Sequence, residues 1–315
     1  MDKMAPMEAA LTFKDLHKTY RNGTQALRGL NLRIPQGAFF GLLGLNGAGK
    51  TTCINVIAGL VRPTKGQARV CGLDALKHYR QAHRLVGIAP QEIALDSRFL
   101  SVRQILVYYA GYFGIPKSVA QRRADALLEE FELSHKRQAR VQELSGGMKR
   151  RLSLAKALIH DPLILILDEP TAGADVALRH QIWEKLKGLN AQGKTILLTT
   201  HYLEEAEKLC DQVAILHQGR VVQSGSPQAL VKTSIPDQVV IHTDPPLKEI
   251  PAGCPQVGHV RLDQGSVRLN GSMQAPHVLE LLSALQRQGI KIQAVETQRA
   301  RLEDAFLDLI QQEPT

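Results

Sequence analysis

From Leu11 to Pro35 apolar and polar positions alternate in short runs, broken at Asn22-Gly23 and Pro35-Gln36-Gly37. That period of two predicts antiparallel strands joined by turns. A nearly continuous apolar run, Phe39–Leu43, reads as a buried strand, and it leads through a glycine-rich turn into a helix-like segment, Lys50–Ala58. Val86–Ala89 reads as another short strand. From about residue 92 to 160 the spacing is helical, with breaks at Pro116 and Ser134-His135-Lys136, which predicts a helical insert. Strand and helix then alternate: a buried strand Leu163–Leu167, a helix over about Ala177–Ala191, a strand Thr195–Thr199, a helix Glu204–Cys210 and a hairpin Val213–Gln223 turning at Gln218-Gly219. Such alternation predicts a layered α/β core.

The pattern weakens after Ser226-Pro227, and Pro236, Pro245, Pro246, Pro251 and Pro255 crowd the segment that follows. A boundary near residue 235 is expected there. Beyond it, Val257–Asn270 alternates around Asp263-Gln264-Gly265 like a hairpin, Pro276–Gln288 is a helix ended by Gly289, Ile290–Glu296 a strand and Arg301–Gln311 a final helix. The chain therefore divides into residues 1–234, with the helical part at about 92–160, and a small α+β unit, 235–315. A length of 315 residues agrees with two domains of roughly 150.

Composition narrows the partners. Hydrophobic residues make up 44% and charged residues 22%, which excludes a disordered or collagen-like chain. The net charge of +9 invites a partner rich in phosphate: a nucleotide, a nucleic acid or an anionic lipid. It is unevenly spread. Residues 1–234 carry 32 basic against 20 acidic side chains (+12), and 235–315 carry 7 against 10 (−3). Cys53, Cys71, Cys210 and Cys254 form no CxxC pair and sit among apolar neighbours, as expected of reduced thiols. The longest apolar stretches fall far short of the roughly 18–20 residues that span a bilayer. The opening MDKMAPMEAALTF lacks the apolar block of a secretory signal, so a cytoplasmic location is expected.

Three segments carry chemistry. Gly44-Leu45-Asn46-Gly47-Ala48-Gly49-Lys50-Thr51 fits G-x-x-x-x-G-K-[ST] and lies between a strand and a helix, the context this phosphate-binding loop requires. Its glycines let backbone N–H groups face phosphates, Lys50 adds a full positive charge and the Thr51 hydroxyl suits Mg²⁺. Leu163–Leu167 runs into Asp168-Glu169. Carboxylates at a buried strand's end need a cation or hydrogen bonds, so Asp168 fits Mg²⁺ and Glu169 fits a group that polarises an attacking water. Leu144-Ser145-Gly146-Gly147-Met148 precedes a helix-like run, and Ser145 with two glycines makes a second backbone anion site, with Lys149, Arg150 and Arg151 nearby. Taken alone, that third segment is an ordinary helix cap.

In this order and spacing the three segments resemble an ATP-binding cassette (ABC) ATPase, with LSGGM as the family signature. The resemblance implies a P-loop NTPase fold, α/β, with an antiparallel β-subdomain and a helical subdomain. It implies ATP and Mg²⁺ as cofactors, with Gly44, Leu45, Asn46, Gly47, Ala48, Gly49, Lys50, Thr51 and Thr52 cradling the nucleotide and Thr51, Gln91 and Asp168 at the metal. Leu45 stands where proline is common, which leaves every backbone donor in place. Lys50, Gln91, Glu169 and His201 are then the catalytic set: Gln91 links metal and water to the helical insert, and His201, directly after Leu197-Leu198-Thr199-Thr200, contacts the γ-phosphate. Tyr20 resembles the aromatic that stacks on adenine, although one tyrosine at a strand end is equally often structural. Ala172-Gly173-Ala174-Asp175 resembles the loop that crosses the dimer interface, with an alanine third where a larger residue is usual.

In this family Ser145, Gly146, Gly147 and Asp175 of one subunit close over the nucleotide of the other, so a second copy is the implied partner. Thr199–Ala206 and the ending Leu302-Glu303-Asp304-Ala305-Phe306-Leu307 resemble ATPase subunits of type-2 ABC exporters, which implies transmembrane permease subunits and a peripheral place at the cytoplasmic membrane face. Phe99, Tyr108, Tyr109, Tyr112 and Phe113 then read as a docking surface, or equally as insert core. An ABC ATPase acting on nucleic acid or the ribosome is the competing class. Such proteins commonly carry two cassettes, coiled coils or zinc-binding insertions, and none is visible, so no direct nucleic-acid contact is expected. A binding protein that never hydrolyses ATP is disfavoured by Glu169 and His201.

Overall fold

A computed structural model describes residues 9–91, 99–234, 238–244, 247, 260–263, 266–270, 275–298 and 301–312. The chain divides into two compact units, Met1–Ser226 and Pro227–Thr315.

The first unit opens with β1 (Ala9–Thr19), β2 (Gln25–Pro35) and β3 (Phe39–Leu43), followed by α1 (Lys50–Ile57), β4 (Lys65–Val70), β5 (Leu73–Asp74), α2 (Tyr79–Arg84) and β6 (Val86–Ala89). Helices α3 (Val102–Tyr112), α4 (Lys117–Glu130) and α5 (Gly146–Leu158) form the helical part, with 3-10 turns at Ser134–Lys136 and Val141–Glu143. The core resumes with β7 (Ile164–Asp168), α6 (Val176–Ala191), β8 (Thr195–Thr200), α7 (Leu203–Leu209), β9 (Gln212–His217) and β10 (Arg220–Gly225). Residues 92–98, the start of the expected helical insert, lie outside the described residues.

Two sheets follow from two sequence periods. The half-buried alternation of β1 and β2 gives an antiparallel sheet ordered β2-β1-β4-β5. The wholly buried strands β3, β7 and β8 sit inside a six-stranded sheet ordered β10-β9-β3-β8-β7-β6, parallel except for its β9–β10 edge. Phe13, Leu30, Phe40, Leu42, Cys53 and Ile57 belong to the core that joins both sheets to α1. Burial pushes the Cys53 thiol up to about 12, which keeps it protonated. Strand β7 begins one residue later than the apolar run suggests, because Leu163 is exposed.

Register sets the site. Leu43 pairs with Thr200, Asp168 with Thr199 and Ala89 with Leu167, so the carboxyl ends of β3, β8, β7 and β6 are level. Loops leaving that edge carry Gly44, Gln91, Glu169 and His201 to one place, where α/β sheets put their ligands.

The second unit contains α8 (Pro227–Ser234), β11 (Gln238–Asp244), β12 (Val260–Asp263), β13 (Ser266–Asn270), α9 (Ala275–Arg287), β14 (Lys291–Gln298) and α10 (Leu302–Gln312). Its sheet is ordered β12-β13-β11-β14, and Val239, Ile241, Leu281 and Leu285 form its core. The expected boundary at residue 234 differs from the structural division at Ser226. Helix α8 packs with α10, where Leu230, Leu302, Ala305 and Phe306 are all buried, so the helix goes with the second unit. Among the described residues no helix is long and apolar enough to cross a membrane.

Candidate nucleotide site

The phosphate loop closes on itself before α1 begins. Ala48 N–H donates to Leu45 O at 3.1 Å, and Gly49, the residue preceding the helix, has φ +110°. A Cβ there would lie 2.5 Å from Ala26 O, so glycine is required on both counts. With no side chain capping α1, its first N–H groups face out of the helix end. Lys50 is only 6% exposed, and its Nζ donates to Gly44 O at 2.6 Å and Leu45 O at 3.2 Å. Burial lowers the Lys50 pKa, while the charges of Glu169 and Asp168 oppose that shift. A positive charge is thus held at the centre of the loop. Leu45, Asn46 and Gly47 are exposed around it.

Opposite Lys50, the end of β7 supplies two buried carboxylates. Asp168 accepts from Thr51 Oγ1 at 3.2 Å on one oxygen and from Thr199 Oγ1 on the other. Glu169 accepts from Gln91 Nε2 at 2.9 Å, and His201 Nδ1 lies 3.3 Å from its other oxygen. Its backbone is left-handed, φ +49°, and its N–H donates to Thr199 O at 3.0 Å. A non-glycine residue holds such a conformation only where its surroundings impose it. The arrangement puts a buried base beside a hydroxyl–carboxylate pair and a cation, the parts needed to orient water at a phosphoryl group.

Lys50, Thr51, Gln91, Asp168, Glu169 and His201 are therefore brought together. Tyr20 stands just after β1, 36% exposed, with its hydroxyl 3.3 Å from Thr52 Oγ1, at the flank of the loop. Among the described residues, Ser145, Gly146, Gly147 and Asp175 make no hydrogen bond to this cluster. Ser145 caps α5 by accepting Met148 N–H at 3.2 Å, and Asp175 caps α6 by accepting Leu178 N–H at 2.8 Å. The two caps are neighbours, since a Cβ on Gly147 would meet Leu178 Cδ2 at 2.8 Å. Both Ser145 and Asp175 are exposed.

The family model for ABC transporters matches residues 27–172. A Nod factor export ATP-binding protein I of Paraburkholderia xenovorans (strain LB400) is 46% identical over 233 residues, 74% of this chain and 76% of that protein. The chain belongs to the ABC transporter family. Among solved structures similar to this ABC ATPase is cbiO1 from Clostridium perfringens, part of the ABC transporter complex cbiONQ, at 29% identity and a TM-score of 0.64, covering 71% of this chain and 91% of that one. Another is the dimeric cassette MJ0796 in a post-hydrolysis state bound to ADP and Pi, at 26% identity and a TM-score of 0.64, covering 69% of this chain and 98% of that one. The chain is accordingly an ATP-binding ATPase subunit of a transporter.

Three features of this ABC ATPase depart from what its sequence suggested. Lys149, Arg150 and Arg151 are not one anion-binding patch. Helical phase turns them apart: Arg150 is buried beneath Gln91 and Glu169, and Arg151 pairs with Glu132 at 2.6 Å. Thr199, which holds both Asp168 and the Glu169 backbone, was missed; its signal is the threonine pair Thr199-Thr200 that ends a wholly buried strand. The aromatic stretch is split. Phe99, Tyr108 and Tyr112 are exposed, whereas Tyr109 and Phe113 line a cavity of about 490 Å³ that reaches Thr51, Gln91 and Asp168.

Proposed function

We propose that this chain hydrolyses ATP at a site completed by a second copy of itself, and that this cycle drives an exporter through separate transmembrane permease subunits. The observation carrying the proposal is the Glu169 carboxylate, buried and held between Gln91 and His201 beside the Thr51–Asp168 pair. A chain that only bound nucleotide would have no need of this buried base.

In the reaction a water attacks the γ-phosphate in line and ADP leaves. Glu169 orients the water and takes its proton. Lys50 and His201 offset the charge that develops on the phosphoryl oxygens, and backbone N–H groups of Gly47–Thr51 hold the β-phosphate. The residues fit Mg²⁺: Thr51 Oγ1 and Asp168 Oδ2 are hard oxygen donors 3.2 Å apart, and Gln91, whose amide nitrogen is on Glu169, leaves its amide oxygen as a third. Held by these residues, Mg²⁺ would supply charge neutralisation for the nucleotide's phosphates. Tyr20 stacks on the adenine.

Ser145, Gly146, Gly147 and Asp175 serve the partner's nucleotide, which accounts for a capped helix end that makes no hydrogen bond to the nucleotide cluster of its own chain among the described residues. The exporter reading rests on likeness to the export ATP-binding proteins. Phe99, Tyr108 and Tyr112 dock the permease, and Tyr109 and Phe113 of the same aromatic stretch line the cavity that adjoins Gln91, so docking and nucleotide state act on neighbouring parts of the helical region. The test is co-purification in detergent with a membrane protein encoded beside this gene. A complex whose ATPase rate changes with the membrane partner present supports the role; a soluble complex with ribosomes or DNA overturns it.

A further inference from the structure

We propose that Arg150 is a positioning residue for hydrolysis: its guanidinium fixes the backbone of Glu169 and of Gln91 in its own chain, and so aims the carboxylate that activates water. The inference rests on the proposed catalytic role of Glu169 and on the shared dimer site.

Arg150 lies on α5, five residues after Ser145, and is 6% exposed. Its Nη1 donates to Pro90 O at 3.1 Å and to Gln91 O at 3.3 Å, and its Nη2 donates to Glu169 O. Among the described residues no carboxylate is within ion-pairing distance of it. Burial lowers its pKa, and only the more distant charges of Asp168, Glu169 and Glu205 oppose that. Burying an arginine without a direct counter-ion is costly, and an apolar side chain would fill the same space at less cost. What arginine alone supplies is a planar fork of donors able to hold carbonyls from two separate loops at once.

Those carbonyls matter for where the base points. Glu169 is left-handed, and its peptide is pinned on one side by Thr199 O and on the other by Arg150. Its carboxylate is held by the Gln91 side chain, whose own backbone is held by the same guanidinium. Without Arg150 the strained Glu169 peptide is free to relax and Gln91 to drift, and the carboxylate loses its aim while the phosphate loop is untouched. Because Ser145 caps α5, the alternative is that Arg150 merely supports the partner-facing helix end.

Mixed dimers of the full chain separate the two. A small amount of a subunit carrying Glu169 is mixed with excess Glu169→Gln subunit before ATP is added, so that turnover comes only from the scarce subunit. With a wild-type scarce subunit, a rate that rises with partner concentration upholds the shared site; a rate per subunit independent of partner overturns the dimer reading, whatever Arg150 does. Arg150→Met in the scarce subunit is expected to lower kcat about 10- to 100-fold with KM for ATP nearly unchanged. Arg150→Met placed instead in the Glu169→Gln subunit leaves the rate within about two-fold. Arg150→Lys and Arg150→Gln, closer in volume and polarity, carry the same test should the Met variant not fold. An equal loss in both arrangements, a loss only in the second, or a loss in neither overturns the proposal.

Discussion

The phosphate loop and the LSGGM segment are both glycine-rich turns that open a helix, yet their surroundings differ. At the phosphate loop Lys50 is buried and bonded to the loop's own carbonyls, and Asp168, Glu169, Gln91 and His201 gather from three other segments. At LSGGM the Ser145 hydroxyl accepts the N–H of Met148, and Ser145 and Gly146 are exposed. One is a finished half-site and the other a prepared surface. The contrast teaches that a helix N-terminus acquires chemistry only from what is assembled against it; under the proposed function, a second copy supplies that assembly for the LSGGM terminus.

The comparison is broken most severely at Glu169. Glu169→Gln is expected to lower ATP turnover by about 10²- to 10⁴-fold while ATP affinity, measured by equilibrium binding, stays near the wild-type value. Normal turnover by this variant would remove Glu169 from its role. Lys50→Ala should instead lose ATP affinity, because the buried charge at the loop centre acts on bound phosphate in the ground state as well as during reaction; unchanged affinity in a binding titration would contradict this.

Ser145→Ala tests the other half. The lost cap costs about 0.5–2 kcal/mol, visible as a lower midpoint in denaturant, and turnover falls, yet ATP binding to the isolated subunit is unaffected. A fall in that binding would mean that the signature serves its own chain's nucleotide. Cutting the chain after Ser226 has a smaller expected effect: no candidate site residue lies in 227–315, so ATP affinity and ATP-driven dimerisation persist. Loss of either would assign the second unit a part in the site.

A last effect falls on stability and not on the site, and concerns how the helical part is anchored. His160, just past α5, stacks on Phe113 with ring centroids 3.7 Å apart and hydrogen-bonds Val86 O at 3.1 Å. Burial lowers its pKa to about 4, whereas a free histidine titrates near 6.5. Between those values the unfolded chain binds a proton that the folded chain refuses. Stability therefore falls as pH drops from about 6.5 toward 4, and His160→Asn should flatten that part of a denaturation profile. An unchanged slope would show that other groups set it.

Both halves were legible in sequence to the extent that backbone geometry defines them. Gly49 must be glycine, a lysine must follow, and the flanking strand and helix have different periods. Asp168 and Glu169 were visible as charges at the end of an apolar run. Arg150 was not, because three consecutive basic residues look like one patch until helical phase points the middle one inward and its neighbour to Glu132. The boundary at Ser226 was hidden for a related reason: Leu230 is buried on α8, which packs with α10, a helix that begins more than 70 residues further along the chain. Local pattern identifies which surfaces are apolar, and only the fold identifies what covers them.

The central claim is that one chain holds half of each of two shared ATP sites. Light scattering on Glu169→Gln, with and without Mg²⁺-ATP, tests it most directly. A monomer that becomes a dimer retaining two ATP molecules is the predicted result; a monomer that remains single with ATP bound would contradict it.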